Sequence, residues 1–155
     1  MEDVDKVAKY FLWKAAKEKR KISNKKLQKL LYYAQAWYLA IKNRPLFKDE
    51  IEAWIHGPTV RSVYNNFKKF GFNPITTEVN EKDLGNLRDD ELLNDVWQLY
   101  GKYDADYLEA LTHNEKPWQT AREGLEFDES SDNIISQDSM KEYYKSLFKK
   151  IKNAE

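Results

Sequence analysis

The segment Ile22-Ser23-Asn24-Lys25-Lys26-Leu27-Gln28-Lys29-Leu30-Leu31-Tyr32-Tyr33-Ala34-Gln35-Ala36-Trp37 decides the fold. Leu27, Leu30, Leu31, Ala34, Trp37, Tyr38 and Ile41 recur at the spacing of one broad helical face. Ser23 is placed to cap the helix, and Ile22 and Leu27 occupy the two positions of a hydrophobic staple. Asn43-Arg44-Pro45 ends it, because proline cannot continue the hydrogen-bond ladder. A long helix with so wide an apolar face needs other elements packed around it, which predicts a mainly α protein.

Working outward, Val4, Val7, Ala8, Phe11, Leu12 and Ala15 form the face of a preceding helix that starts near Asp3. Downstream, residues 50–56 (Glu-Ile-Glu-Ala-Trp-Ile-His) alternate and then break, predicting a short strand cut off by Gly57-Pro58. Pro58 suits the first position of a third helix with Val60, Val63, Tyr64 and Phe67 on its face, stopped by Gly71. Ile75 to Val79 is β-prone and is expected to pair with the first strand. Further helices are predicted from Asp89 to Gly101, from a cap at Asp104 with Tyr103 and Leu108 as its staple, and from Pro117 to about Glu123. Ser136 caps a last helix over 137–151, which carries Met140, Tyr143, Tyr144, Leu147, Phe148 and Ile151. The expected architecture is a mainly α bundle of six to seven helices with a short two-stranded β element. It forms one compact domain over residues 1–155, with an exposed acidic loop at 126–133.

Composition narrows the function classes. The chain has 155 residues, 41% of them apolar and 34% charged, enough apolar content for one core and far from disordered or fibrous compositions. No apolar run approaches the roughly 20 residues that span a bilayer, and the N-terminus is acidic where a signal peptide is basic and then apolar. With no cysteine, thiolate chemistry and disulfides are excluded, and a cytoplasmic setting is expected. The zero net charge hides an asymmetry. Residues 1–70 carry 16 basic and 7 acidic side chains, net +9; residues 71–140 carry 5 and 17, net −12; the last fifteen are net +3. The densest basic stretch, Lys14 to Lys29, reads either as a phosphate-contacting face or as a solvated helix surface facing the acidic half. Lysine dominates over the arginine that bidentate base recognition favours, so nucleic acid is not the expected partner.

Catalytic and metal chemistry find little support. The two histidines lack further nitrogen or sulfur ligands at metal-binding spacing. There is no glycine-rich phosphate loop and no G-x-S-x-G elbow. No catalytic residue, no metal ligand and no cofactor is assigned, and the chain is not expected to be an enzyme. The segment Trp54-Ile55-His56-Gly57-Pro58-Thr59-Val60 is the most distinctive, and two readings stand for it. It is a tight strand-to-helix corner, or it is an anion or carboxylate site at a helix N-terminus. Among the aromatic residues, Trp37 and Tyr38 belong to the core, whereas Tyr33 points off the apolar face and is free to serve a partner.

Several of these segments together resemble the Panacea domain, the SocA-like antitoxin domain. The carriers are residues 22–37, Pro45-Leu46-Phe47, residues 51–60 with Val63-Tyr64, and then Trp97, Tyr100, Leu108, Leu111-Thr112-His113 and Pro117-Trp118. The likeness runs in order through about the first 125 residues. Thr59 and Ser23 stand where the family commonly has valine and threonine. The motif positions are Leu27, Gln28, Lys29, Leu30, Leu31, Tyr32, Trp54, His56, Gly57 and Pro58, and they are given a structural role. The resemblance implies a cytoplasmic bacterial or phage antitoxin that neutralises a protein toxin encoded by an adjacent gene through stoichiometric binding. It supplies no catalytic residues. Surplus aromatic side chains are natural interface anchors, and Tyr33, Trp118, Tyr143 and Tyr144 are the candidate toxin contacts. A nucleic-acid-binding regulator built on the first two helices is the alternative, with an adaptor that hands the toxin to a protease as a variant of the first reading. Homo-oligomerisation is left open.

Overall fold

The computed structural model describes residues 1–154. Its helices are α1 (Val4–Lys17), α2 (Asn24–Lys42), α3 (Arg61–Phe67), α4 (Glu91–Tyr100), α5 (Ala105–His113), α6 (Lys116–Ala121) and α7 (Gln137–Asn153). One antiparallel hairpin joins β1 (Glu52–Trp54) to β2 (Gly57–Thr59), and 3₁₀ turns cover Lys68–Phe70 and Glu81–Asp89. The protein is mainly α with a small two-stranded sheet.

Local chemistry fixes most helix starts. Asp3, Ser23, Asp90, Asp104 and Ser136 each accept a hydrogen bond from a backbone N–H of the first turn of the helix they open. A cap of this kind contributes about 1 kcal/mol. α2 ends at Asn43, which adopts a left-handed conformation (φ 60°) before Pro45 is reached. Asparagine is one of the few non-glycine residues that tolerates this.

Every residue of α2 from Lys26 to Leu39 is buried. Helices α1, α3, α4, α5 and α7 and strand β2 all pack on it. A helix enclosed on all sides cannot leave polar side chains to solvent, so each must be satisfied inside. Gln35 shows how. Its Oε1 accepts from the N–H of Leu46 (2.8 Å) and of Phe47 (3.3 Å), and its Nε2 donates to the Phe47 carbonyl (2.8 Å), fastening the chain after α2 to the helix. Gln28 does the same for the hairpin, its Oε1 accepting from Val60 N–H at 2.8 Å while its Nε2 donates to Asn24.

The structure corrects the sequence reading in three places. Pro58 lies in β2, paired with Ala53, and α3 starts only at Arg61. The chain reverses at Ile55-His56, helped by Gly57 at φ +106°, so the expected strand-to-helix corner is a hairpin. Residues 75–79 form no strand: Ile75 N–H donates to Ile22 O (2.8 Å), far from β1 in the pairing scheme. The free side of β1 is covered instead by residues 133–135, through Ala53 N–H to Asn133 O (2.7 Å) and Ile135 N–H to Ile51 O (2.8 Å). Finally, Glu81–Asp89, which sequence periodicity does not mark, buries Leu84 and Leu87 against α1 around a kink at Gly85.

Gln35→Leu keeps the volume of the side chain and strands two buried N–H groups and one carbonyl. An unpaired buried polar group costs about 1–3 kcal/mol. The denaturation midpoint of this variant should therefore fall by an amount equivalent to about 3 kcal/mol, with little change in the slope of unfolding free energy against denaturant.

Candidate functional site

The distinctive sequence blocks meet where the hairpin lies across α2 and α5. Lys29, one turn along α2 from Lys25, is fully buried, and its Nζ donates to the Pro58 carbonyl at 2.8 Å. Among the described residues no carboxylate stands at ion-pair distance from it. Burial, with the Lys25 cation adding to it, pushes the Lys29 ammonium down to about 7. Gly57 makes this approach possible. A Cβ there would fall 2.5 Å from Lys29 Cε and 3.0 Å from Thr112 Oγ1, and its φ of +106° is one that other residues rarely adopt. The two positions are therefore matched: the long lysine stem fills the space that the glycine leaves.

Charge is compensated at the rim. Glu109 receives Lys25 Nζ at 2.6 Å and faces His56 Nδ1 at 3.2 Å, while Asp106 takes a second bond from Lys25 at 2.9 Å. His56 itself is at the hairpin tip with 72% of its side chain exposed. His113 is half-buried, stacked on Trp118 at 4.1 Å between ring centroids, and desolvation lowers its pKa. Trp118 in turn donates from Nε1 to the Trp54 carbonyl at 2.8 Å. Beside the hairpin an open cleft of about 460 Å³ is lined by Trp54, Ile55, His56, Arg61 and residues 130–132.

A second polar centre lies deeper. Glu115, buried at the junction of α5 and α6, accepts hydrogen bonds from Tyr144 (2.5 Å), Tyr33 (3.1 Å) and Tyr32 (3.2 Å). Burial pushes its carboxyl up to about 7 against the opposing pull of the three hydroxyls. Tyr33 also stacks on Tyr100 at 3.8 Å, and Tyr100 accepts from Trp37 Nε1 at 2.9 Å. One carboxyl thus ties α2, α7 and the α5–α6 junction together.

These contacts settle where the expected partner residues stand. Tyr33 and Tyr144 are completely buried and Trp118 is 4% exposed, so none of the three presents a ring to a partner. Tyr33 was expected off the apolar face; that side of α2 is covered by the Glu115 cage and Tyr100. Tyr143 alone of the four is half-buried, on α7. Of the motif positions, Leu27 to Tyr32, Gly57 and Pro58 are buried, Trp54 is half-buried and His56 is exposed. Glu115 went unnoticed in a polar connector. Its signal is the tandem Tyr32-Tyr33 in the middle of α2, since buried phenols need an acceptor. The basic stretch is not one face: Lys26 donates to the Gly101 carbonyl, Lys29 to Pro58, Lys14 to Asn94, and Lys25 pairs with α5. Among the described residues no group of three or more His, Asp or Glu side chains could hold a metal ion, and no helix is long and apolar enough to cross a membrane.

The family model of the SocA-like antitoxins, Panacea domain, matches residues 27–119. The chain belongs to this Panacea family. It is also similar to the Antitoxin SocA of Caulobacter vibrioides (strain NA1000 / CB15N), 35% identical over 134 residues, which cover 79% of this chain and 71% of the relative. No solved structure matches the chain. The Panacea segment contains Lys29, the hairpin, Glu115 and Trp118, while Lys25 at the rim and Tyr144 of the Glu115 cage lie outside it; membership of the family supports an antitoxin role.

The two centres have opposite linkage to pH. Glu115 titrates higher in the folded chain than its ordinary 4.5, so folding takes up a proton and stability is lost as pH rises from about 4.5 to 7. Lys29 titrates lower than its ordinary 10.5, so folding releases a proton and stability is lost as pH falls from about 10.5 to 7. Each contribution is on the order of 3–5 kcal/mol at most. Unfolding free energy measured across pH should therefore show a minimum near neutrality relative to its two flanks. Glu115→Gln should flatten the acid side and Lys29→Met the alkaline side. Profiles of the two variants parallel to the wild type would contradict this assignment.

Proposed function

We propose that this chain is the antitoxin of a toxin–antitoxin pair and neutralises a cognate protein toxin, encoded beside it, by direct stoichiometric binding without turnover. Membership of the Panacea family carries the reading, and the relative's name as an antitoxin supports it. The arrangement of the motif residues fits the same mechanism. Lys29, Gly57 and Pro58, and with them Glu115 outside the motif, face inward onto hydrogen-bond partners or packed neighbours and hold the fold, while the toxin meets the exterior. Tyr143 and the exposed His56 are the members of the sequence-derived set that a partner can reach. Tyr33, Trp118 and Tyr144 act from beneath by fixing α7 and the hairpin. The lysines that would have formed a nucleic-acid face are largely engaged within the protein, which favours protein over nucleic acid as the partner.

The decisive experiment is co-expression with the neighbouring reading frame. The chain should rescue growth and co-purify with the toxin at a fixed ratio. Gly57→Val should lower the folded population, since backbone strain of this kind costs about 1–3 kcal/mol, and protection should fall in step. His56→Ala should stay folded, so a loss of toxin binding in that variant would mark His56 as a contact. Rescue with no detectable complex at any expression level would overturn direct binding.

A further inference from the structure

Helices α4 and α7 flank the C-terminal half of α2 and pack on it rather than on each other. Between them runs an open cleft of about 380 Å³ whose floor is Trp37 and Val96. Its edges are Ile41 (42% exposed), Leu99 (53%), Phe148 (37%) and Ile151 (49%). Four of the nine large apolar side chains exposed among the described residues thus gather in one place. Isolated exposed apolar residues are ordinary, whereas a contiguous set marks an interaction surface.

The two walls carry opposite charge. On α4 the charged side chain that lines the cleft is Asp95, and the helix has no cation. On α7 Lys152 lies over the ring of Phe148, a cleft residue, at 5.2 Å. Among the described residues neither has an ion-pair partner. A partner of single charge would match one wall and repel the other. A second copy of this chain matches both. A two-fold axis along the cleft sets each α4 against the partner's α7, acid on base, with the apolar edges meeting between them. A two-fold axis across the cleft would set acid on acid.

We propose that this face is a homodimer interface, paired about a two-fold axis parallel to the α4–α7 cleft. The nine residues that line the cleft are fewer than the roughly 20–30 a side of a usual stable interface, so the dimer is weak and concentration-dependent. The proposal rests on the chemistry of the cleft alone and is independent of the antitoxin reading. Sedimentation equilibrium of the purified chain, from about 1 to 500 µM, should show a monomer–dimer equilibrium in the range typical of small interfaces. Leu99→Asp, an exposed substitution that should leave helicity and melting temperature unchanged, should weaken association by about tenfold or more. Asp95→Lys and Lys152→Glu should each self-associate more weakly than wild type, while their mixture should form a heterodimer more readily than either alone. A chain that stays monomeric throughout, a Leu99→Asp variant that dimerises like wild type, or a mixture no better than its parts would each overturn the proposal. Should the chain be monomeric and Leu99→Asp lose toxin binding instead, the cleft belongs to the toxin and the homodimer is refuted.

Discussion

Enclosing α2 on every side is the constraint from which most of the architecture follows. The helix carries Asn24, Lys26, Gln28, Lys29 and Gln35 among its apolar residues, and all are buried. Removing such groups from water without partners would cost several kcal/mol each, comparable in sum to the whole stability of a small domain. The fold meets this by sending backbone to them. Phe47 and Leu46 come to Gln35, Val60 to Gln28, Pro58 to Lys29 and Gly101 to Lys26. Apart from Pro58 in β2, these backbone groups belong to connections, so the polar side chains of one helix position the hairpin and the loops around it. Hydrophobic packing gathers the helices, and these directional bonds choose where the chain crosses between them.

Glu115 inverts the same logic. Here the side chain comes from a connector and the partners come from helices, Tyr32 and Tyr33 of α2 and Tyr144 of α7. Three phenol donors offset part of the cost of burying the ionised carboxylate, although burial still favours the protonated form. The carboxyl therefore acts as a joint between the two halves of the bundle. Its partner on the far side, Tyr144, belongs to the helix that also forms one wall of the exposed apolar cleft.

What could be seen in the sequence was set by local rules. Helix starts at Ser23, Asp104 and Ser136 follow from short-range capping, and the faces of α1 and α2 from period, and the structure has them except at Ile41, which the last turn of α2 leaves exposed. The hairpin was missed because Gly57-Pro58 fits a helix start as well as a turn, and only the long-range bonds of Pro58 O to Lys29 and Val60 N to Gln28 decide between them. Tyr33 was misplaced because periodicity assumes that a helix has a solvent side. α2 has none over its middle turns, so the residues opposite the apolar face are as buried as those on it. Glu115 was hidden for a related reason: a charged residue in a polar connector gives no local sign that three tyrosines from two helices will surround it.

The division between interior and exterior has a functional consequence. The Panacea segment ends near Gln119, and within it the recognisable residues are mostly turned inward to hold α2, the hairpin and the α5–α6 junction. Interior residues of that kind fix a scaffold and say nothing about which partner it meets. The exposed edge residues Phe148 and Ile151 and the half-buried Tyr143 all come from α7, which lies outside the matched segment. Of the four exposed apolar residues at the cleft, Ile41 and Leu99 lie inside the matched segment and Phe148 and Ile151 outside it, and none of them takes part in the buried hydrogen bonds that hold the scaffold. Surface residues of this kind tolerate substitution, because a change there disturbs none of the buried hydrogen bonds on which the scaffold depends.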